Sequence, residues 1–274
     1  MKRAMLALAA VIMISANGPA RAQSAWPDIQ DALFGDAPVI AHSTQVRLDA
    51  PYRATDDART ALGGHVTAPP GQKITTVMLM IDENPAPVAA EFQLAEPRSE
   101  FAFSLTTRIN GQTPLHLVAL TDAGERHMAE AYLKTSGQGA CAAPPGTNPE
   151  DALATLGDME LAFLPALDAP SKSVNTRLAA LAGKVTALDV DISHPSHSGL
   201  AMDQITLLYV PMRVVDEVAI SLDNAPYVTM TGSISLSENP RLRVSIPDGV
   251  STAEVMLRDT DGTISHARTS LAAY

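Results

Sequence analysis

Cysteine is almost missing from this chain, with Cys141 the only one in 274 residues. A single thiol cannot close an internal disulfide, so in an oxidising compartment it dimerises, accepts a cap or has a use. Basic residues are also short: 19 Lys and Arg stand against 30 Asp and Glu, for a formal net charge of −11. An acidic chain repels phosphate backbones, which argues against nucleic acid and leaves small basic electron-transfer proteins as partners compatible by steering. After the N-terminal leader no apolar run is long enough to span a bilayer without charges. There is no phosphate loop, no Gly-x-Ser-x-Gly elbow and no dinucleotide fingerprint, and no cofactor is expected.

What is present begins with a leader. Lys2 and Arg3 give a basic start, Met5 to Ile14 an apolar run, and Ala20-Arg21-Ala22 a small-x-small cleavage site. Residues 1–22 therefore read as a secretory signal, with the mature chain starting near Gln23. No cysteine follows the cleavage site, so a lipid anchor is not supported. The expected product is soluble and exported.

The mature length suits two domains of ordinary size. After a helical segment from Trp26 to Phe34, short apolar or β-branched runs follow at 45–48, 74–81, 88–94, 101–109 and 115–120, separated by turn signals such as Pro69-Pro70-Gly71 and Asn110-Gly111. Regular short strands with this punctuation predict an antiparallel sandwich. Asn148-Pro149-Glu150-Asp151 then predicts a helix start, with Pro at the first helical position and acids in the first turn, running to about Phe163. A second short helical piece is expected over 171–182. Strands resume at Leu188-Asp189-Val190-Asp191-Ile192 and continue at 205–208, 214–222, 227–230, 241–246 and 254–257. The expected fold is all-β: two tandem immunoglobulin-like antiparallel sandwiches, packed face to face and joined by a helical linker.

The halves also echo each other. Ile81-Asp82-Glu83-Asn84-Pro85 matches Leu222-Asp223-Asn224-Ala225-Pro226 as a strand running into an Asp/Asn/Pro turn, and each half closes on a hairpin with glycine at its turn. These Asp/Asn turns read as sandwich corners, because Asp and Asn bond their own backbone.

Cys141 sits in Ser136-Gly137-Gln138-Gly139-Ala140-Cys141-Ala142-Ala143-Pro144-Pro145-Gly146. Gly137, Gly139, Ala140 and Ala142 leave almost no bulk around the thiol, and two glycines with a Pro-Pro pair cannot continue a packed strand or helix. The stretch is expected on the surface, as a flexible loop presenting the sulfur. The nearest cation in sequence is Lys134, and nothing adjacent strongly activates the thiol, which suits a group loaded by an outside enzyme. His116 and His127, on neighbouring strands, offer a cysteine-histidine pairing for an enzyme nucleophile, but flexible surroundings do not make a preorganised site. His194 and His197, spaced by Pro-Ser without a carboxylate or cysteine beside them, form an incomplete metal set and read as a plain turn.

Three stretches then resemble SoxY, the sulfur-carrying subunit of bacterial thiosulfate oxidation: residues 81–92, Thr106-Thr107-Arg108-Ile109-Asn110, and the hairpin leading into the Cys141 stretch. The second half resembles its partner SoxZ, through Ile192-Ser193-His194-Pro195-Ser196-His197-Ser198-Gly199, Val210-Pro211-Met212, Leu222-Asp223-Asn224 and residues 237–242. The whole resembles a fused SoxY-SoxZ carrier of the type associated with quinoprotein dehydrogenases. The resemblance implies a periplasmic protein that is not itself an enzyme. In that family the two sandwiches pair, and a cysteine on a terminal Gly-Gly-Cys-Gly-Gly arm, the position matched by Cys141, holds a sulfur intermediate while separate enzymes act on it. The implied partners are Sox-type cytochromes or hydrolase, or a quinoprotein dehydrogenase, and a disulfide-linked dimer through Cys141 is a further state open to the free thiol. The implied layout is a signal over 1–22, a SoxY-like sandwich over 23–140, the carrier-cysteine loop and helical linker over 141–183, and a SoxZ-like sandwich over 184–274. The non-covalent alternative is an accessory docking module for a quinoprotein dehydrogenase or its cytochrome. This chain departs from the family pattern in holding its cysteine inside the chain, between flanks of alanine and Pro-Pro, which shortens and stiffens the loop.

Overall fold

Residues 24–137, 140, 153–164, 187–200, 202 and 207–271 are described by the computed structural model. The first half opens with α1 (Trp26–Phe34), then β1 (Val46–Asp49), β2 (Thr60–Thr67), β3 (Ile74–Ile81), β4 (Val88–Arg98), β5 (Glu100–Thr107), β6 (Thr113–Thr121) and β7 (Arg126–Leu133). The second half comprises β8 (Met159–Leu164), β9 (Ala187–Ile192), β10 (Val215–Leu222), β11 (Ala225–Gly232), β12 (Arg241–Ser245), β13 (Thr252–Asp259) and β14 (Ile264–Ser270).

These strands form two antiparallel sheets, and each sheet draws on both halves. One is six-stranded, in the order β1-β2-β5-β12-β9-β8; the other is eight-stranded, β14-β13-β10-β11-β4-β3-β6-β7. The seams are regular ladders: Leu105 pairs with Leu242 and Phe103 with Val244 in the first, and Phe92 with Met230 and Ala90 with Gly232 in the second. The halves are therefore joined edge to edge into one continuous double layer, and the expected face-to-face packing is corrected. The physical reason lies in the strand edges. Each half ends in strands whose backbone N–H and C=O groups need partners, and joining β4 to β11 and β5 to β12 satisfies both edges at once.

The core runs unbroken between the layers. Phe92 on β4 meets Phe103 across the sandwich with ring centroids 4.5 Å apart and Phe101 at 5.5 Å. Around them Leu62, Leu79, Leu105, Leu117, Val218, Leu242 and Val255 are all buried from both halves. A glycine pair in β2 makes this closeness possible. A Cβ on Gly64 would lie 2.4 Å from Leu117 Cδ2 and 2.8 Å from Phe103 Cε1.

On the outer face of the eight-stranded sheet, α1 lays Trp26, Ile29 and Phe34 against Met80, Val118 and Met128. The helix bounds match the sequence expectation. The helix expected to reach Phe163 is not present there: Leu153 and Ala154 make a short helical piece, Gly157 turns with φ +81°, and Met159–Leu164 is β8. Met159, Leu161 and Phe163 alternate with polar or small residues and pack on the core, a period-two pattern that finds a free partner in β9. The short helix expected over 171–182 lies outside the described residues.

Candidate functional site

The residues that deliver the chain to Cys141 are built on the end of β7. Lys134 is held by two backbone bonds, donating to Tyr52 O (3.0 Å) and accepting from Ala54 N–H (2.8 Å), and Arg53 donates to Thr135 O at 2.7 Å. Beyond it, the carboxylate of Asp57 closes on the next two residues. Ser136 N–H donates to Oδ1 at 2.7 Å, Ser136 Oγ–H to Oδ2 at 2.8 Å, and Gly137 N–H to Oδ2 at 3.2 Å. Asp57 is 2% exposed, and its own C=O accepts from Ile109 N–H at 2.8 Å, so the clamp is fixed to the body of the sandwich. Gly137 is exposed with φ +94°, and no atom lies within 4 Å of where its Cβ would be; the glycine is required by backbone conformation rather than by crowding. Ala140 is buried at 3% exposure, in contrast to the exposed Gly137, so the surface position expected of Ala140 is corrected. Gly139, Cys141 and Ala142 lie outside the described residues.

Electrostatically, the cations at this root are already engaged. Lys134 Nζ stands 4.8 Å over the Tyr52 ring, and the bond and charge of Lys134 hold the Tyr52 hydroxyl below its ordinary pKa. Arg53 serves the Thr135 carbonyl. The sequence reading missed Asp57. It sits in an ordinary Asp-Asp-Ala turn far from residue 136, and only the fold brings the two together.

The histidines are committed elsewhere. His116 is buried on β6, its Nδ1 2.8 Å from Asp82 Oδ1, with Trp26 stacked on its ring at 3.9 Å. His127 lies between Ser43 Oγ (3.0 Å) and Glu125 Oε2 (3.1 Å). His194 is buried; its Nδ1 accepts Ser196 N–H at 3.0 Å and its Nε2 faces Asp259 Oδ2 at 3.5 Å. Burial pushes its pKa down to about 4, only partly opposed by Asp259. Burial alone would raise the Asp259 carboxyl, but Arg213 Nε at 2.8 Å, the Thr263 N–H and His194 together hold it below the ordinary range. Ser196 is fully buried with φ +45°, so this His-Ser-Asp grouping ties a turn and offers no nucleophile to solvent. His197 is lowered first by burial and then by Arg108 and Arg213, which sets this SoxZ-like turn beside the first half. Among the described residues no group of three or more His, Cys, Asp or Glu side chains could hold a metal ion.

The Asp/Asn turns are corners, as the sequence implied. Asn84 donates to Arg108 O (2.8 Å) and to Ser235 Oγ (2.9 Å) and accepts from Asn110 N–H (3.1 Å), stitching the two halves. Asp223 and Asn224, both with positive φ, form the tight β10–β11 turn. At the opposite end of β10 from that turn, on the end that carries Asn84, Asn239 exchanges bonds with His194, Arg59 donates to Glu238 O at 2.9 Å, and an apolar ribbon rises beyond His197. Leu200, Met202, Leu207, Leu208, Tyr209 and Met212 are all exposed there, with a bridge between Met202 and Tyr209. Leu207 and Leu208 carry no strand, contrary to the strand expected at 205–208, whose first two residues lie outside the described set.

A fused pair of antiparallel sandwiches with a clamped, glycine-started stretch leaving the first half is the class of protein that this arrangement defines. The sequence profile of sulfur oxidation protein SoxY matches residues 30–141, and that of sulphur oxidation protein SoxZ matches residues 174–270. The chain thus carries a SoxY domain and a SoxZ domain in tandem in one polypeptide. Among solved structures it is similar to the sulfur carrier protein SoxY from Chlorobium limicola f thiosulfatophilum, at 24% identity and a TM-score of 0.36, over 40% of this chain and 96% of that one. A superoxide reductase (neelaredoxin) from Ignicoccus hospitalis matches at 15% identity and a TM-score of 0.28, over 40% of this chain and 87% of that one. Latent PorU from Porphyromonas gingivalis matches at 11% identity and a TM-score of 0.26, over 84% of this chain and 24% of that one. Comparison with curated protein sequences finds no match.

Proposed function

We propose that this protein is an exported carrier of sulfur intermediates, holding them covalently on Cys141 and presenting them to partner enzymes. A carrier role in sulfur oxidation follows from the SoxY and SoxZ domains. The observation that carries the finer reading is that the SoxY match ends at residue 141, the chain's single thiol. The leader at 1–22 supports a periplasmic site of action. In the loading step the Cys141 thiolate and the terminal sulfur of an anion such as thiosulfate join through a new S–S bond. The thiol proton goes to solvent and two electrons leave to a partner redox protein. No side chain of this fold is asked to catalyse that step; the partner supplies the oxidant. Sox-type cytochromes or hydrolase, or a quinoprotein dehydrogenase, are the partners in this reading.

A second reading, a non-covalent docking module, is favoured by the exposed apolar ribbon from Leu200 to Met212, which is a larger grouping of exposed apolar side chains than scattered single residues would make. One experiment separates the two. The tryptic peptide from Thr135 to Lys172, taken without reductant from protein exported by its own host, should carry added mass matching sulfur atoms or an oxidised sulfur group, lost on reduction. A Cys141→Ser variant should then lose all function. A bare thiol under conditions that need the protein, together with a functional Cys141→Ser variant, would refute the carrier and leave the docking module.

A further inference from the structure

We propose that the outer edge of β14 is a self-pairing surface, and that two copies of this chain join there, β14 to β14 and antiparallel, with Ala267 on the two-fold axis. The proposal concerns the second half alone and does not depend on what Cys141 carries.

The phase of the β14 ladder shows which backbone groups are left over. Asp259 N–H donates to Thr263 O and Leu271 N–H to Ser251 O, at either end of a register that sets Ile264 opposite Arg258 and Ser270 opposite Thr252. In an antiparallel pair, residues bonded to the neighbouring strand alternate with residues whose N–H and C=O point away from it. Ser265, Ala267 and Thr269 therefore bond β13, and Ile264, His266, Arg268 and Ser270 direct their backbone groups outward. Among the described residues those outward groups meet no backbone partner, and β14 ends its sheet. The other edge of the same sheet is covered: Ile40, Ser43, Tyr52 and Ala54 hydrogen-bond the main chain of Arg126, Met128 and Lys134 along β7. Two common devices that blunt an edge are also missing from β14, which has no proline and no bulge in its pairing with β13. Ile264, at one end of this edge, is 58% exposed.

A second copy fits because the edge complements itself. Outward residues must meet outward residues, which restricts the axis to a few positions. With Ala267 on the axis, Ile264 faces Ser270 of the second copy and His266 faces its Arg268, so every outward N–H and C=O of both strands is paired. An axis at Arg268 leaves Ile264 without a partner in the second β14 and sets two guanidinium groups directly opposite, which is destabilising. An axis at His266 strands Ser270 in the same way. In the full-length register each Arg268 also keeps Glu254 of its own sheet across β13. Ala267 supplies the small side chain suited to the close pair on the axis, where Cα atoms approach to about 4.5 Å. The two eight-stranded sheets then continue into one another through an isologous contact.

The test uses the full mature chain with Cys141→Ser, so that no native disulfide can link two copies. Light scattering across a concentration series reaching millimolar should show twice the monomer mass. His266→Pro removes an outward N–H and spares the bonds to β13, since an edge strand accepts proline where its N–H faces away from the sheet. By symmetry two bonds are lost per dimer, and the dissociation constant should rise at least about tenfold with the melting temperature of the monomer unchanged. Ala267→Cys in the same background should give a disulfide-linked dimer on mild oxidation. Thr269→Cys should not, because its two copies lie about 13 Å apart in this register. If His266→Pro does not fold, the two cysteine variants decide the matter. A dimer indifferent to His266→Pro, or a crosslink from Thr269→Cys without one from Ala267→Cys, overturns the proposal. So does a monomer throughout the series, which leaves the edge to another strand, from this chain or from a partner.

Discussion

Mild acid should weaken this fold through His194. The ring is 1% exposed, and burial, opposed by Asp259, moves its pKa from 6.5 to about 4. Above pH 6.5 the residue is neutral in both folded and unfolded chains and adds no pH dependence. Below it the unfolded chain binds a proton that the folded chain refuses, so stability falls as the pH drops. The loss levels off once the folded state also protonates. At about 1.4 kcal/mol per pH unit, a gap from 6.5 to about 4 amounts to about 3 kcal/mol at the bottom of the window. His197, also lowered by burial, acts in the same direction, while Glu238, raised by burial, runs the other way. The low-lying carboxyls of Asp259 and Asp223 lose their contributions only at still lower pH. A His194→Asn variant isolates the residue. Urea unfolding of parent and variant at pH 7.5 and pH 4.5 should show the parent's advantage shrinking by about 2–3 kcal/mol on acidification. An advantage equal at both pH values would refute the reasoning and mean that His194 is not held neutral by burial.

Asn84→Ala removes the three hydrogen bonds that join the first half's corner to Arg108, Asn110 and Ser235. At about 1 kcal/mol each it should destabilise by about 3 kcal/mol in equilibrium unfolding, and a loss below 1 kcal/mol would mean the seam does not depend on this corner. Gly64→Ala pushes a methyl group into Leu117 and Phe103, and overpacking should cost about 1–3 kcal/mol; a neutral effect by thermal melting would show that β2 has room to shift.

The strands that could be read from sequence are those whose apolar residues are contiguous or strictly alternating. Ile74–Ile81 was legible residue for residue, and Leu188, Val190 and Ile192 revealed β9. In β9 the intervening Asp189 is buried, yet its charge is met by Arg241 and Arg243 from the neighbouring strand, so the outward polar position keeps the pattern. β2 escaped because Gly63 and Gly64 look like turn residues, when their smallness serves the approach of Phe103 and Leu117. β8 was mistaken for helix because the Asn-Pro-Glu-Asp start signal is local, while the strand answers to an open edge on β9 that no local signal announces. The seam was illegible for the same reason: edge pairing of β4 with β11 joins residues whose local patterns are satisfied equally well by two separate sandwiches. At the site, the thiol and its small neighbours were plain, but Asp57 lies 79 residues from Ser136 and became visible only through their contact.

The chemistry around the arm's root argues for a division of labour between fold and partner. A reactive cysteine is made by an adjacent cation or base that stabilises its thiolate. At the root that leads to Cys141, Lys134 lies over the Tyr52 ring and Arg53 donates to the Thr135 carbonyl. The carboxylate at the root, Asp57, accepts from the Ser136 N–H and hydroxyl and from the Gly137 N–H. After Gly137 and the buried Ala140, the next described residue is Leu153, four positions before Gly157, whose N–H bonds Ser193 O of the second half at 2.8 Å. Gly137 and Gly157, which flank that stretch, are thus fixed to different halves at the end of the molecule where the halves join, and that end also bears the exposed ribbon of Leu207, Leu208 and Tyr209.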